Sequence, residues 1–277
     1  MKRLLLVVLC IVFICGCTVT PDNLQVTFID VGQGDSSVLF LPGGDVMVID
    51  AGEKSEVGSL VAFLKSKRVK EIDVLVASHP HSDHIGGMTE LLDEFDVGKV
   101  YMPNVSHDTS FYYDFIKSIT ESEIPVTEAK GGVNIYPENS LVKAEFLAPN
   151  SGVYEELNNY SAVLKVSYKD VSFLFTGDAE DVSENEMLKM GYDLKADVLK
   201  VAHHGSNTSS TKRFIDAVSP DFAVISADGV SYSHPHKQTL NRLKDTNIIK
   251  TYEEGNITFE TDGLTLKRKL DFYEFYN

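Results

Sequence analysis

Ser78-His79-Pro80-His81-Ser82-Asp83-His84-Ile85-Gly86-Gly87 follows directly on the apolar run Val74-Leu75-Val76. Three histidines and an aspartate fall within six positions. On an extended chain, residues two apart project to the same side, so His79 and His81 can offer both imidazoles to one cation. Asp83 and His84 turn to the far side of the same loop, where they can hold a second cation. Gly86-Gly87 give the backbone room as the next helix starts. A strand that ends in such a loop points to metal chemistry rather than to a plain polar turn.

Outward from this loop, short β-rich runs alternate with amphipathic stretches. Upstream and just beyond it, the patterns predict strands over 25–30, 37–41, 46–50 and 73–78, and helices over 55–67, 88–95 and 111–120. Further on, strands are predicted over 141–148, 162–168, 171–176, 198–202 and 222–226, with helices near 184–190 and 212–218. Two ββ-then-βα halves of this kind predict two sheets packed face to face. Pro235 opens a helix over 237–243, and Asp262-Gly263 turns a hairpin between 257–261 and 264–269. The stretch 97–136 mixes Pro, Gly and aromatic residues and reads as an insertion or lid beside the site. No linker or low-complexity tract interrupts the pattern, so one domain is expected over 24–277.

The chain has 277 residues, with 25 Lys+Arg against 41 Asp+Glu and a net charge of -16. That balance argues against a static nucleic-acid binder, which needs a basic face to displace counterions from phosphates. Phosphate chemistry here needs another source of positive charge. At the N-terminus, Lys2 and Arg3 precede the apolar run Leu4 to Cys15, too short for a comfortable permanent membrane span. The run reads as a secretion signal, and its end, Ile14-Cys15-Gly16-Cys17, resembles a bacterial lipobox. Cleavage after residue 16 would leave lipidated Cys17, a tether over 17–23, and 23 basic residues against 41 acidic, a net charge of -18. The protein is thus expected outside the cytoplasm, anchored to the bacterial membrane through Cys17. With the other two cysteines removed, no disulfide or thiol nucleophile is expected. The loop with Gly32 and Gly34 lacks dinucleotide-binding spacing, and no Gly-x-Ser-x-Gly elbow marks a serine hydrolase.

The pattern His79-x-His81-x-Asp83-His84 resembles the signature of the metallo-β-lactamase-fold hydrolases. Four further boxes extend the resemblance to the C-terminal hydrolase domain of the ComEC competence proteins, which belong to DNA uptake, and to pneumococcal phosphorylcholine esterase. They are Phe28-Ile29-Asp30-Val31-Gly32-Gln33-Gly34-Asp35-Ser36, Val48-Ile49-Asp50-Ala51-Gly52, Phe175-Thr176-Gly177-Asp178 and Leu199-Lys200-Val201-Ala202-His203-His204-Gly205-Ser206. The resemblance implies an α/β fold, a four-layer αββα sandwich, with two divalent ions, zinc or alternatively manganese. It implies His79, His81, Asp83, His84, Asp178 and His203 as metal ligands, with Asp178 bridging both ions. Asp50 would support a liganding histidine from behind. His204 would hold a phosphate oxygen or protonate the leaving group, with the reverse order of His203 and His204 the alternative. Asp83, His204 and His236 make up the implied catalytic set, the last from His234-Pro235-His236, which could equally cap a helix on the rim. Many members supply a third histidine to the first ion where this chain reads Leu157-Asn158-Asn159-Tyr160-Ser161. Asn159 is placed there as a supporting residue, and the missing imidazole implies weaker zinc affinity, more open coordination or a preference for manganese at the first ion. His107, without a partner in sequence, reads as a surface residue.

Two ions lower the pKa of a shared water and supply the missing positive charge, so hydrolysis is expected. The leading expectation is a phosphodiesterase or nuclease acting on extracellular DNA. The alternatives are an esterase for phosphorylcholine or another wall phosphodiester, and a non-catalytic accessory lipoprotein in DNA uptake. If DNA binds, Lys195, Lys200, Lys212 and Arg213 are the candidates for a basic groove.

Overall fold

Runs such as Val46-Met47-Val48-Ile49 are apolar at every position, which suits a strand covered on both faces. The computed structural model, which describes residues 22–269, bears this out. The expected signal segment and Cys17 lie outside the described residues. In the first half of the chain the strands are β1 (Leu24–Phe28), β2 (Ser36–Phe40), β3 (Val46–Ala51), β4 (Glu71–Ile72), β5 (Val74–Val76), β6 (Asp96–Val97), β7 (Val100–Met102) and β8 (Val126–Glu128). The second half adds β9 (Val142–Phe146), β10 (Leu164–Tyr168), β11 (Val171–Phe175), β12 (Val198–Lys200), β13 (Phe222–Ile225), β14 (Asn247–Lys250), β15 (Ile257–Thr261) and β16 (Leu266–Lys269). One sheet has the order β16-β15-β1-β2-β3-β5-β7-β8 and the other β14-β13-β12-β11-β10-β9, while β4 and β6 form a small ribbon.

The two sheets pack through one layer of side chains, including Phe28, Met47 and Val76 from the first and Phe146, Phe173 and Phe175 from the second. Each such buried side chain contributes on the order of 1.5–3 kcal/mol. The opposite face of the first sheet is covered by α1 (Val57–Ser66), α3 (Met88–Glu94) and α4 (Ser110–Glu121), through Leu60, Leu91 and Phe115. The outer face of the second is covered by α5 (Asp181–Met190), α6 (Lys212–Val218) and α7 (Lys237–Arg242), through Met187, Phe214 and neighbouring residues. The result is the αββα sandwich expected from the sequence. Two short helices, α2 (Ser82–Ile85) and α8 (Thr251–Glu254), sit at strand ends.

Residues 97–136 are not an insertion. Val100–Met102 and Val126–Glu128 extend the first sheet in parallel with β5, and α4 packs on it. Their short apolar runs, broken by Pro and Gly, hid this. Strand β14 and helix α8 were likewise not anticipated, because Asn247–Lys250 is too short to show a period. Parallel pairing of β3 with β5, and of β11 with β12 and β13, sends several strand carboxyl ends to one edge. Ligand sites of open α/β sheets form at such edges.

Candidate metal centre

The chain leaves β5 and enters α2 within a few residues, so the histidine loop is compact. His79 is buried, with Nε2 3.0 Å from Nδ1 of His81. The first turn of α2 carries Asp83 and His84. His84 is buried, its Nδ1 2.8 Å from Oδ2 of Asp50 and its Nε2 3.1 Å from Oδ1 of Asp178. Asp50 also accepts the Ser78 backbone N–H at 2.7 Å and the Ser78 hydroxyl at 2.6 Å. A carboxylate only accepts, so Asp50 takes a hydrogen bond from the Nδ1–H of His84 and turns Nε2 toward Asp178. Gly86 is required here, since a Cβ would lie 2.4 Å from the Ser82 carbonyl oxygen and 2.8 Å from Lys54 N.

The other half comes from the second sheet. Asp178 follows β11 and is fixed by its N–H to Ser161 Oγ, at 3.0 Å. Its Oδ2 is 3.9 Å from His79 Nε2 and 3.6 Å from His204 Nε2, so this one carboxylate faces both sides of the site. Beyond β12 the chain makes a tight turn, Ala202–Gly205, with His203 and His204 both at positive φ, 50° and 53°. Non-glycine residues pay roughly 1–2 kcal/mol each for this conformation. The turn points the two rings in different directions. His204 Nε2 lies 3.1 Å from Asp83 Oδ2, with its Nδ1 2.9 Å from the Ser226 carbonyl. His203 Nδ1 is instead 3.1 Å from Glu180 Oε1, and its side chain is 23% exposed against 1% for His204.

Two groups of ligand-capable atoms result, Asp83/His84/Asp178/His204 and His79/His81/Asp178, each within 4.8 Å. The structure places His204 within the four-residue group, while His203, outside both groups, keeps its Nε2 3.8 Å from Asp178 Oδ2. Strand alternation does not reveal this, because two successive left-handed residues break it. Buried His84 Nε2 and Asp178 Oδ1 have no hydrogen-bond partner. Leaving such atoms unpaired is costly, and a cation between them would satisfy both. The mixed imidazole and carboxylate donors fit zinc or manganese.

Residues 29–230 match the family model described as the metallo-beta-lactamase superfamily. The chain belongs to this superfamily. It is 30% identical over 255 residues to "ComE operon protein 3" of Bacillus subtilis (strain 168), covering 85% of this chain and 33% of that protein. It is 31% identical over 263 residues to "Competence protein ComA" of Neisseria gonorrhoeae, covering 92% of this chain and 35% of that protein. The chain thus spans about a third of the length of these relatives. Among solved structures, CmlA, a diiron beta-hydroxylase from Streptomyces venezuelae, superposes with a TM-score of 0.56 at 14% identity, over 86% of this chain and 54% of CmlA. The metallo-beta-lactamase fold protein YhfI from Bacillus subtilis superposes with a TM-score of 0.51 at 12% identity, over 82% of this chain and 95% of YhfI. At these identities the two structures speak for the fold.

The metallo-beta-lactamase centre opens on a cavity of about 910 Å³ lined by residues from both sheets, Asn158, His234 and His236 among them. Among the described residues, no lysine or arginine lines it. Lys200 is buried and paired with Asp35, Lys212 pairs with Asp216, and Lys195 and Arg213 are exposed away from the cavity. These four do not form a basic groove at the site. His107, read as a surface residue, lines the cavity with its ring centroid 5.9 Å from that of His81. Asn159 points away: its Oδ1 accepts the Ser183 N–H at 3.1 Å in the first turn of α5. Its neighbour Asn158 faces the cavity, with Nδ2 3.4 Å from His203 Nδ1. His236 lines the rim, where its Nδ1 accepts the Asn207 N–H at 3.1 Å.

The electrostatics explain the site's appetite for positive charge. Burial works against a charged His84, but the carboxylates of Asp178, Asp83 and Asp50 outweigh it and hold its pKa well above the usual histidine value. Burial likewise opposes charge on His204, yet Asp178, Asp35 and Asp83 raise it to about 10. Asp178 is held well below the carboxylate range, with His84 and His204 overcoming burial. A field that favours protons on these rings also favours cations in their place. His234 is the opposite case, lowered to about 4 by burial and by positive His204. Asp35, Glu180, Asn158 and His234 were not singled out as site residues from sequence, and Lys200 was read as a basic-groove candidate. Asp35 lies in a box quoted for its glycines, and His234 is one residue from the histidine that was chosen.

Proposed function

We propose that this chain is a metal-dependent phosphodiesterase that cleaves DNA outside the cytoplasm, held at the membrane by lipid on Cys17. One observation carries the reading: two ligand groups share Asp178 and open on a large cavity. His79, His81 and Asp178 would hold one ion and Asp83, His84, Asp178 and His204 the other, with Asp50 orienting His84. Such ions supply the positive charge that a phosphate needs and acidify the attacking water. The relatedness to competence proteins supports DNA as the substrate.

The chain's own side chains then divide the remaining work. His203, steadied by Glu180 through Nδ1, lines the cavity with its Nε2 3.8 Å from Asp178 Oδ2 and is the candidate to protonate the leaving oxygen. His234 rests beside His204 with Gln33 Nε2 3.4 Å from its Nδ1, which leaves its Nε2–H free to donate to a phosphate oxygen. With a pKa near 4 it stays neutral at pH 7 and can act as a fixed donor. His236 and Asn158 border the same space. The missing basic lining and a net charge of -16 favour a second reading, a small phosphodiester of the phosphorylcholine-ester kind in place of a long polyanion.

The test is hydrolysis of single-stranded DNA, duplex DNA and bis-p-nitrophenyl phosphate by the purified full chain, with zinc and manganese supplied separately and Asp178→Ala as control. DNA cleavage that needs the ion and disappears in Asp178→Ala supports the nuclease. Cleavage of the small diester alone moves the substrate to wall or headgroup phosphodiesters. No turnover with either ion would overturn the enzymatic reading in favour of an accessory binding protein.

A further inference from the structure

Behind the second ligand group lies a buried ion pair. Lys200 Nζ is 2.7 Å from Asp35 Oδ2, with side-chain exposures of 3% and 7%, and donates to the Val201 carbonyl at 2.8 Å. The pair joins the two sheets, because Asp35 immediately precedes β2 and Lys200 ends β12. The loop bearing Asp35 is also tied to the histidine loop: Asp35 N–H donates to the Asp83 carbonyl at 3.0 Å, and Gly52 N–H to the Asp35 carbonyl at 2.9 Å. Gly34 permits this approach, since a Cβ there would sit 2.5 Å from the Asp83 carbonyl oxygen.

The Asp35 carboxylate stands behind both imidazoles of the second group. Oδ1 is 3.4 Å from His204 Nδ1 and Oδ2 is 4.0 Å from His84 Nδ1. Both rings already have Nδ1 acceptors, the Ser226 carbonyl and Asp50. Asp35 is therefore a surplus negative charge beside the ligands. Together with Asp50 and His84 it makes a third set of ligand-capable atoms within 4.8 Å, displaced from the cavity. The ammonium of Lys200 lies against that set.

We infer that Lys200 is a built-in cation that holds Asp35 out of the metal ligand set, making Asp35 and Lys200 positioning residues for the second ion. Without Lys200, Asp35 competes for the cation from behind the rings. Without Asp35, the buried ammonium repels it. Removing both charges together leaves the four ligands undisturbed, since a paired buried charge is replaced far more safely than half of one.

This inference rests on the two-ion reading, and zinc titration of the full chain against a chromophoric chelator tests the two separately. Wild type binding fewer than two ions would sink that reading itself. With two ions in wild type, Lys200→Met and Asp35→Asn should each weaken one ion by about 10–100-fold, the range for groups that orient ligands, and leave the other unchanged. The double variant should recover most of the loss. Wild-type affinity for both ions in either single variant, parallel weakening of both ions, or no recovery in the double variant overturns the inference. If the single variants do not fold, the double variant decides alone: two ions within about tenfold of wild type supports neutralisation, and selective loss of one overturns it. The chelator titration reads ion affinity without any turnover, so a loss of activity from another cause does not enter it.

Discussion

The two sheets build their shares of the candidate metal centre differently. The first supplies His79, His81, Asp83 and His84 from one loop and one short helix, with Asp50 behind them from the neighbouring strand. The second supplies Asp178, His204 and His234 from the ends of β11, β12 and β13 and the turns that follow, and Asn158 from the turn before β10. Spacing within the first share is set by covalent geometry. Spacing within the second is set by strand register, such as Phe175 beside Lys200 and Lys200 beside Val224. The first share is thus robust and local, and the second depends on how the sheet packs.

Substitutions that remove one ligand from each share sharpen this contrast most. His81→Ala and His204→Ala should each retain one ion of two by elemental analysis. Each should lose about two to three orders of magnitude in kcat/KM, the several kcal/mol supplied by one Lewis acid. The contrast breaks if His204→Ala keeps both ions while His203→Ala loses one. For His203→Ala the expectation is two ions retained and a reduced rate.

The next effect separates neighbours. Asn158→Ala should slow turnover about tenfold by freeing His203 and Glu180 from its amide, whereas Asn159→Ala should leave turnover unchanged. The cost of Asn159→Ala is in stability, about 0.5–2 kcal/mol in urea unfolding, because the α5 N-terminus loses an acceptor. Equal rates for both variants would contradict the placement of Asn158 at the cavity.

The smallest effect concerns Glu184 in α5, which is buried and accepts the N–H groups of Ser210 and Thr211 beyond the histidine turn. Burial raises its pKa above the usual glutamate value, against those hydrogen bonds. A raised carboxyl pKa means that the folded state holds the proton more tightly than the unfolded chain. Its stabilisation is complete below the ordinary glutamate value and is lost as pH climbs through the raised one. Wild type should therefore gain stability relative to Glu184→Gln as the pH falls from 7 toward 5, measured by urea unfolding. A difference that is flat or reversed over this window contradicts the assignment.

Legibility from sequence followed the same division. The histidine loop could be read because its ligands are consecutive and their spacing maps directly onto a strand end and a helical turn. The sandwich could be read because β3 is a continuous apolar run and the helices α1 and α6 bury residues three to four apart. The second share was only half legible. Asp178 ended a recognisable strand, but the choice between His203 and His204 rests on two left-handed residues that no period announces. Asn158 and Asn159 were confused for the same reason, since a turn of 3₁₀ helix points adjacent side chains to different surroundings. Lys200 looked like a surface cation because its partner, Asp35, is far away in sequence and on the other sheet.

The place of β1 in the first sheet carries a further consequence. It lies between β2 and β15, with Leu24 opposite Thr261 and Phe28 opposite Ile257. Pairing along that edge therefore waits for residues 257–261 to join the fold. Until they do, β1 presents an open strand edge and the part of the central layer that Phe259 fills stays uncovered, the kind of surface that invites misassembly.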